Sequence, residues 1–312
     1  MMTSSKGTSG RGPLPVLCLG LLVASCSPRQ MAVNAVGNAL SGGTSGFASD
    51  DDPELIGDAV PFALKTIESL LAESPRHRGM LLSASSGFAQ YAYGWVQMPA
   101  DFEEESLGLA RSTAMRERAK KLYLRSRNYG LRGLDLRHPG LSRRLQGTTE
   151  QAASAIAELD AQDVPFVYWT AASWGAAISL YKNDPALSSS IPVVEALLRR
   201  GLALDEDYDE GAFHDLLVAF EAGRSSVGGS MAAAEEHSRR AHELSRNGRA
   251  MQFVGDAELI ALPKQDRKAF EAALERALAI DVDARPELRL ANTLAQRRAR
   301  WLLARTADLF LD

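Results

Sequence analysis

Cysteine is nearly absent from this chain of 312 residues, which carries only Cys18 and Cys26. With two thiols a disulfide framework or a structural zinc site is hard to build. Aromatic residues are scarce at 7%, which weighs against a β-sandwich or barrel. Neither charge sign dominates: 35 basic residues face 39 acidic ones, for a net charge of −4. They are interspersed, so the basic stripe that nucleic acid requires is missing and a DNA- or RNA-binding role is excluded. Gly-x-Gly-x-x-Gly, P-loop and Gly-x-Ser-x-Gly elements are also lacking, which removes the turns used for dinucleotides, nucleotides and nucleophilic serine. No run alternates with a period of two.

What is present is helical. The chain is 46% apolar, rich in Ala, Leu, Arg and Glu, and long enough for a substantial core. Helical period and punctuation predict helices near 55–73, 78–98, 106–137, 148–160, 164–181, 190–204, 210–222, 230–246, 264–280 and 286–310. The fold class read from this is all-α.

The amino terminus reads as an address. Lys6 and Arg11 precede an apolar run over 14–23 (LPVLCLGLLV), too short to span a bilayer. Val23-Ala24-Ser25-Cys26 follows with the form of a bacterial lipobox, in which Cys26 takes the acyl group. Cys18 leaves with the leader, so the exported chain keeps one thiol, at its lipidated first residue. Ser27 after the cysteine favours the outer membrane over retention. The reading is a signal peptide at 1–25, a Ser- and Gly-rich flexible tether at 26–53, and a helical domain at 54–312.

The domain repeats. Arg-[Gly/Ala]-Leu-[Asp/Ala]-[Leu/Ile] occurs at 132–136, 200–204 and 276–280, with a degenerate copy at 69–72. The clear copies are 68 and 76 residues apart, which is about twice the 34-residue tetratricopeptide period, with a small insertion in the second interval. This predicts tetratricopeptide-like helical hairpins stacked into a compact superhelix. Such a stack leaves a concave surface suited to binding.

Chemistry is sparse. His237 and His242 sit about 140° apart on a helix and cannot clamp a metal from one face. Solvated side chains are expected for them and for His77, His138 and His214. The acidic runs Asp50–Asp52 and Glu103–Glu105 read as helix starts, where carboxylates meet the positive dipole end. No catalytic set, metal or cofactor is expected, and the chain is read as a non-enzyme.

Two segments are candidates for binding. Residues 164–181 (VPFVYWTAASWGAAISLY) hold no charge and read as a helix buried on all sides. Val167, Trp174, Ile178 and Tyr181 share one face. Tyr168 and Trp169 lie beside the small residues of the other, which permits close packing or a cavity wall. In the last predicted helix, Leu290, Leu294, Trp301 and Leu309 fall on one stripe together with Arg298 and Arg305. Two guanidinium groups on an apolar stripe need acceptors. The favoured acceptor is a carboxylate within the chain, such as one of helix 264–280. An anionic ligand and a neighbouring subunit are the alternatives.

Further stretches are similar to those of a known family. They are Tyr91-Ala92-Tyr93, RSRNYGLR at 125–132, QDRKAF at 265–270 and NTLAQRRARWLL at 292–303. With the lipobox and the hairpin repeat, they make the chain resemble the TRAP-associated TatT lipoproteins from about residue 14 to 310. Tyr208 departs from that pattern at a repeat turn. The resemblance implies a periplasm-facing lipoprotein, held to the envelope by its lipid alone. It implies work beside the substrate-binding protein of a tripartite ATP-independent periplasmic transporter, with no catalytic residues to carry over and a small organic solute as a second ligand. A homo-oligomer stays open. The alternative function is a general tetratricopeptide scaffold for envelope assembly.

Overall fold

Asp52 sets the first long helix: its side chain accepts from the Leu55 amide, and Pro53 occupies the first turn, where no amide is needed. The computed structural model describes residues 1–4, 7, 28–42, 44–104 and 108–310. Among them every regular element is a helix. The main helices are α1 (Pro28–Gly42), α2 (Pro53–Glu73), α3 (Arg78–Ala92), α4 (Leu109–Asp135), α5 (Thr149–Ala157) and α6 (Val164–Leu180). They continue with α7 (Ile191–Leu204), α8 (Ala212–Ala222), α9 (Met231–Ser245), α10 (Ala250–Gly255), α11 (Arg267–Ala279) and α12 (Arg289–Ala304). Two helices run on through π-helical turns, α3 through Tyr93–Gln97 and α10 through Asp256–Ala261.

The helices pack largely in order. α4 lies along α3 and α6, α6 along α7, and α8 along α9, while α10, α11 and α12 pack on one another. The largest core gathers Leu64, Leu81, Phe88, Leu134, Phe166, Trp174, Leu197 and Phe213 from α2 to α8. A second core, around Phe253, Phe270 and Phe310, is otherwise mostly alanine.

The sequence repeat has a structural meaning. Each copy ends a helix: α2, α4, α7 and α11 close at Glu73, Asp135, Leu204 and Ala279. The arginine that opens each clear copy reaches back to the end of an earlier helix. Arg132 donates to the Pro75 carbonyl (3.2 Å), Arg200 to the carbonyls of Leu159 (2.5 Å) and Ala157 (3.2 Å), and Arg276 to Asn247 Oδ1 (3.4 Å). Cations suit helix C-termini, whose carbonyls are left over. The small residue that follows admits an aromatic ring of a later helix. A Cβ at Gly133 would lie 2.0 Å from the Phe166 ring, and one at Gly201 would lie 2.2 Å from Phe213.

Three expectations are corrected. The tether at 26–53 is helical over most of its described length, in α1 and in the short helix Thr44–Ala48. α1 is docked: Asn34 Oδ1 accepts from Ser74 Oγ at 2.8 Å, and Gly37 sits against Met80. Composition missed this because small residues permit close packing as readily as flexibility. The α10 helix and its π-helical extension were not expected, since Gly255 and short apolar spacing hide the helical period. The final helix is also shorter than expected, ending at Ala304 before a separate turn, Thr306–Leu309.

Candidate functional site

The residues of the last long helix assemble a polar and aromatic seam between distant parts of the chain. Arg298 is 12% exposed and grips Glu258 through Nε and Nη2, both at 2.6 Å, while Nη1 lies 3.4 Å from Asp101 Oδ2. Asp101 also accepts from Arg116 at 3.0 Å. Trp301 stacks at a tilt on Phe102, with centroids 5.2 Å apart. It is flanked by the guanidinium groups of Arg298 at 5.7 Å and Arg305 at 5.0 Å. Both π-helical turns feed this seam, one supplying Glu258 and the other Tyr93, whose hydroxyl lies 3.5 Å from Met251 Sδ. Burial pushes the Tyr93 phenol up to about 12. π-Turns inside helices are often placed at functional sites because they re-aim side chains.

The internal salt bridge expected for Arg298 is therefore present, but its acceptors differ. They come from Glu258 and Asp101, not from the predicted helix 264–280. The stripe is also corrected. The face of α12 that enters the core is Asn292, Ala295, Gln296, Ala299 and Leu302, while Leu290, Leu294, Trp301 and Leu309 are half-buried. Alanines allow close approach, and the polar members act as pegs. Gln296 Nε2 faces the carbonyls of Ala277, Leu278 and Ile280 at the end of α11, and Asn292 joins Ala250 and Gly248.

The apolar α6 supplies the second set. Trp174 is 1% exposed, with Arg127 stacked 4.8 Å over its ring, and belongs to the large core. Tyr168 and Trp169 are half-buried and meet edge to face at 5.0 Å. Tyr168 also meets Tyr208 at 5.4 Å and Phe213 at 5.5 Å. Trp169 and Tyr93 pack on the same small cluster of Ala89, Ala92, Val96 and Tyr123, which links this set to the seam.

Asp215, which the sequence reading passed over, lies near this group. Gln252 Nε2 donates to it at 3.0 Å, and Ser245 Oγ donates to Gln252 Oε1 at 2.6 Å. Burial raises the Asp215 carboxyl to about 7, against the opposing pull of Arg249. Alongside runs a groove of about 500 Å³ whose lining includes Asp207, Glu210, Ser245, Arg246 and Arg285. Its rim is left-handed at Asp209, Glu210, Arg246 and Asn247, a backbone state that costs roughly 1 kcal/mol or more per residue. Arg249 and Arg285 hold this rim through Asp209 and Glu210. Tyr208, the departure from the repeat pattern, opens the same turn.

The histidines do not match the solvated reading. His138 meets Asp163 at 2.8 Å, His242 meets Asp256 at 2.7 Å, and His214 Nδ1 lies 2.8 Å from His237 Nδ1. Burial, then the neighbouring His214, lowers the His237 pKa. No group of three or more metal-ligating side chains occurs among the described residues. Asp52 is a helix cap as expected, whereas Glu103 ends a short helix and Glu104 pairs with Arg116. Glu105, Cys18 and Cys26 lie outside the described residues. No helix among the described residues is long and apolar enough to cross a membrane.

The family model described as TRAP transporter T-component matches residues 49–310. An uncharacterized protein of Treponema pallidum (strain Nichols) is 32% identical over 314 residues, covering 94% of this chain and 95% of its own length.

Proposed function

The chain belongs to the TRAP transporter T-component family, and from that premise we propose that it is a periplasm-facing accessory lipoprotein of such a transporter. Cys26 carries the acyl group, and the outer membrane holds it. The helical domain is a tetratricopeptide-like stack that binds the transporter's substrate-binding protein, with a small organic solute as a second ligand. The observation that carries this reading is the family match over nearly the whole helical domain.

The two sets of side chains named above suit that role differently. Arg298 is committed to Glu258 and Asp101, so it positions α12, and the half-buried Trp301 with Arg305 stacked on its ring is the contact candidate. Tyr168 and Trp169 present aromatic edges, which suit an amphipathic ligand or a partner's side chain. Trp174 is structural in this reading.

The test is recovery of partners from native membranes with the acylated chain, after crosslinking in cells. The substrate-binding protein of a tripartite transporter is the expected partner. Recovery of envelope-assembly proteins alone would replace this reading with that of a general scaffold.

A further inference from the structure

We propose that the edge formed by α1, the helix Thr44–Ala48 and α2 is the face on which this chain rests against a lipid bilayer. The proposal rests on the acylation of Cys26 put forward above.

Four exposed apolar side chains lie on these three helices. Val36 is 49% exposed, Phe47 40%, Leu55 57% and Phe62 79%. Among the described residues, the other large apolar side chains left so open, beyond the first two of the chain, are Leu109 and Val227. Leu55 and Phe62 are seven apart, so they point the same way from α2. The opposite face of α2, with Ile56, Leu64, Ile67 and Leu71, is in the core. A phenylalanine left so far in solvent has no role in packing the chain itself.

The location of the acyl group then decides what covers this edge. Only Ser27 separates Cys26 from Pro28, the first residue of α1. Two residue steps span at most about 7 Å. α1 is fixed to the body through Asn34, Gly37 and Val33. With a helix in place of a loose tether, the lipid cannot hold the body away from the membrane. Phe62 and Leu55, with Val36 and Phe47, are therefore carried close to the headgroups, where phenylalanine and leucine partition favourably.

The charges beside them are mostly acidic: Asp58, three residues after Leu55 and four before Phe62, is exposed on the same side of α2, and exposed Asp51 and Asp52 precede the helix, while Lys65 pairs with Glu68 and Glu54 with Arg297. The contact is accordingly apolar and gains nothing from anionic lipid.

The experiment uses the full acylated chain on phosphatidylcholine vesicles, with and without phosphatidylglycerol. Because the exported chain's only thiol is acylated, Phe62→Cys and Val227→Cys each create one free thiol for a fluorophore. Both positions are exposed, so neither substitution disturbs the core. Nitroxide-bearing lipid should quench the label at 62 at least threefold more than the label at 227, in both vesicle types. Equal quenching on acylated, vesicle-bound protein overturns the proposal. Shielding of position 62 that follows protein concentration without vesicles also overturns it, and marks the edge as an interface between copies. Mass spectrometry of the same preparation separates this failure from that of the premise. An intact mass without acyl chains defeats the anchor itself, and the docking proposal with it.

Discussion

The two cores of this protein are built on different principles. From α2 to α8, large side chains interlock, with Phe166, Trp174, Leu197 and Phe213 almost wholly buried. From α10 to α12 the buried residues include Ala250, Ala257, Ala261, Ala277, Ala295 and Ala299. Helices with alanine faces approach closely but bury little area each. The second region is completed by polar pegs, Asn292, Gln296 and Gln252, and by the Arg298–Glu258 pair. Volume holds the first region, and directional bonds hold the second. Directional bonds specify one register and orientation, which suits the region that carries the candidate contact residues Trp301 and Arg305.

The largest effect should come from the first core. Trp174→Ala removes a wholly buried ring and should cost about 3–5 kcal/mol in denaturant unfolding. A loss under about 1 kcal/mol would show that the α6 region is loosely packed and would erase the contrast.

Arg298→Met tests the second region. It strands Glu258 in a half-buried seam and should cost on the order of 3 kcal/mol. The double variant Arg298→Met/Glu258→Leu should recover much of that loss, because the stranded charge is gone. If both variants melt like the parent, the seam is solvated and specifies nothing.

Gly201→Ala places a Cβ against the Phe213 ring and should cost about 1–3 kcal/mol through overpacking. The unfolding midpoint is the readout, and an unchanged midpoint would mean that α7 and α8 can part at no cost.

A further effect is pH-dependent. The Asp215 carboxyl is raised to about 7 by burial, so the folded chain holds its proton more tightly than the unfolded chain. Its contribution is fully present below about pH 4 and is lost as pH rises through 7. Asp215→Asn should therefore raise the melting temperature at pH 8 and change it little at pH 4. His237 acts in the opposite sense. Its lowered pKa means the unfolded chain takes the proton first, so stability falls as pH drops below its ordinary value near 6.5. Replacing His237 with Gln should flatten that acid limb.

Much of the fold was legible because helix ends are written locally. Asp52, Thr148, Ser230 and Asp266 each accept from an amide in the first turn of the helix they begin. The repeat was visible as spacing, although its structural counterpart, arginines joining the ends of helices two apart, needs three dimensions. α10 was missed because Gly255 and short apolar spacing hide the period on which helix reading depends. With it went Glu258, the partner that Arg298 demanded, and Asp256, the partner of His242. Asp101 is nearly 200 residues from Arg298 and no local pattern joins them. Asp215 gave no signal at all, since its burial is set by neighbours from other helices.

The most direct test of the functional account is hydrogen exchange on the acylated chain, with and without the substrate-binding protein of its transporter. The account predicts slower exchange on addition of the partner in peptides covering α12 and the turn to Leu309, with the interior of α4 unchanged. Identical exchange in every peptide, at partner concentrations that saturate the transporter, would contradict it.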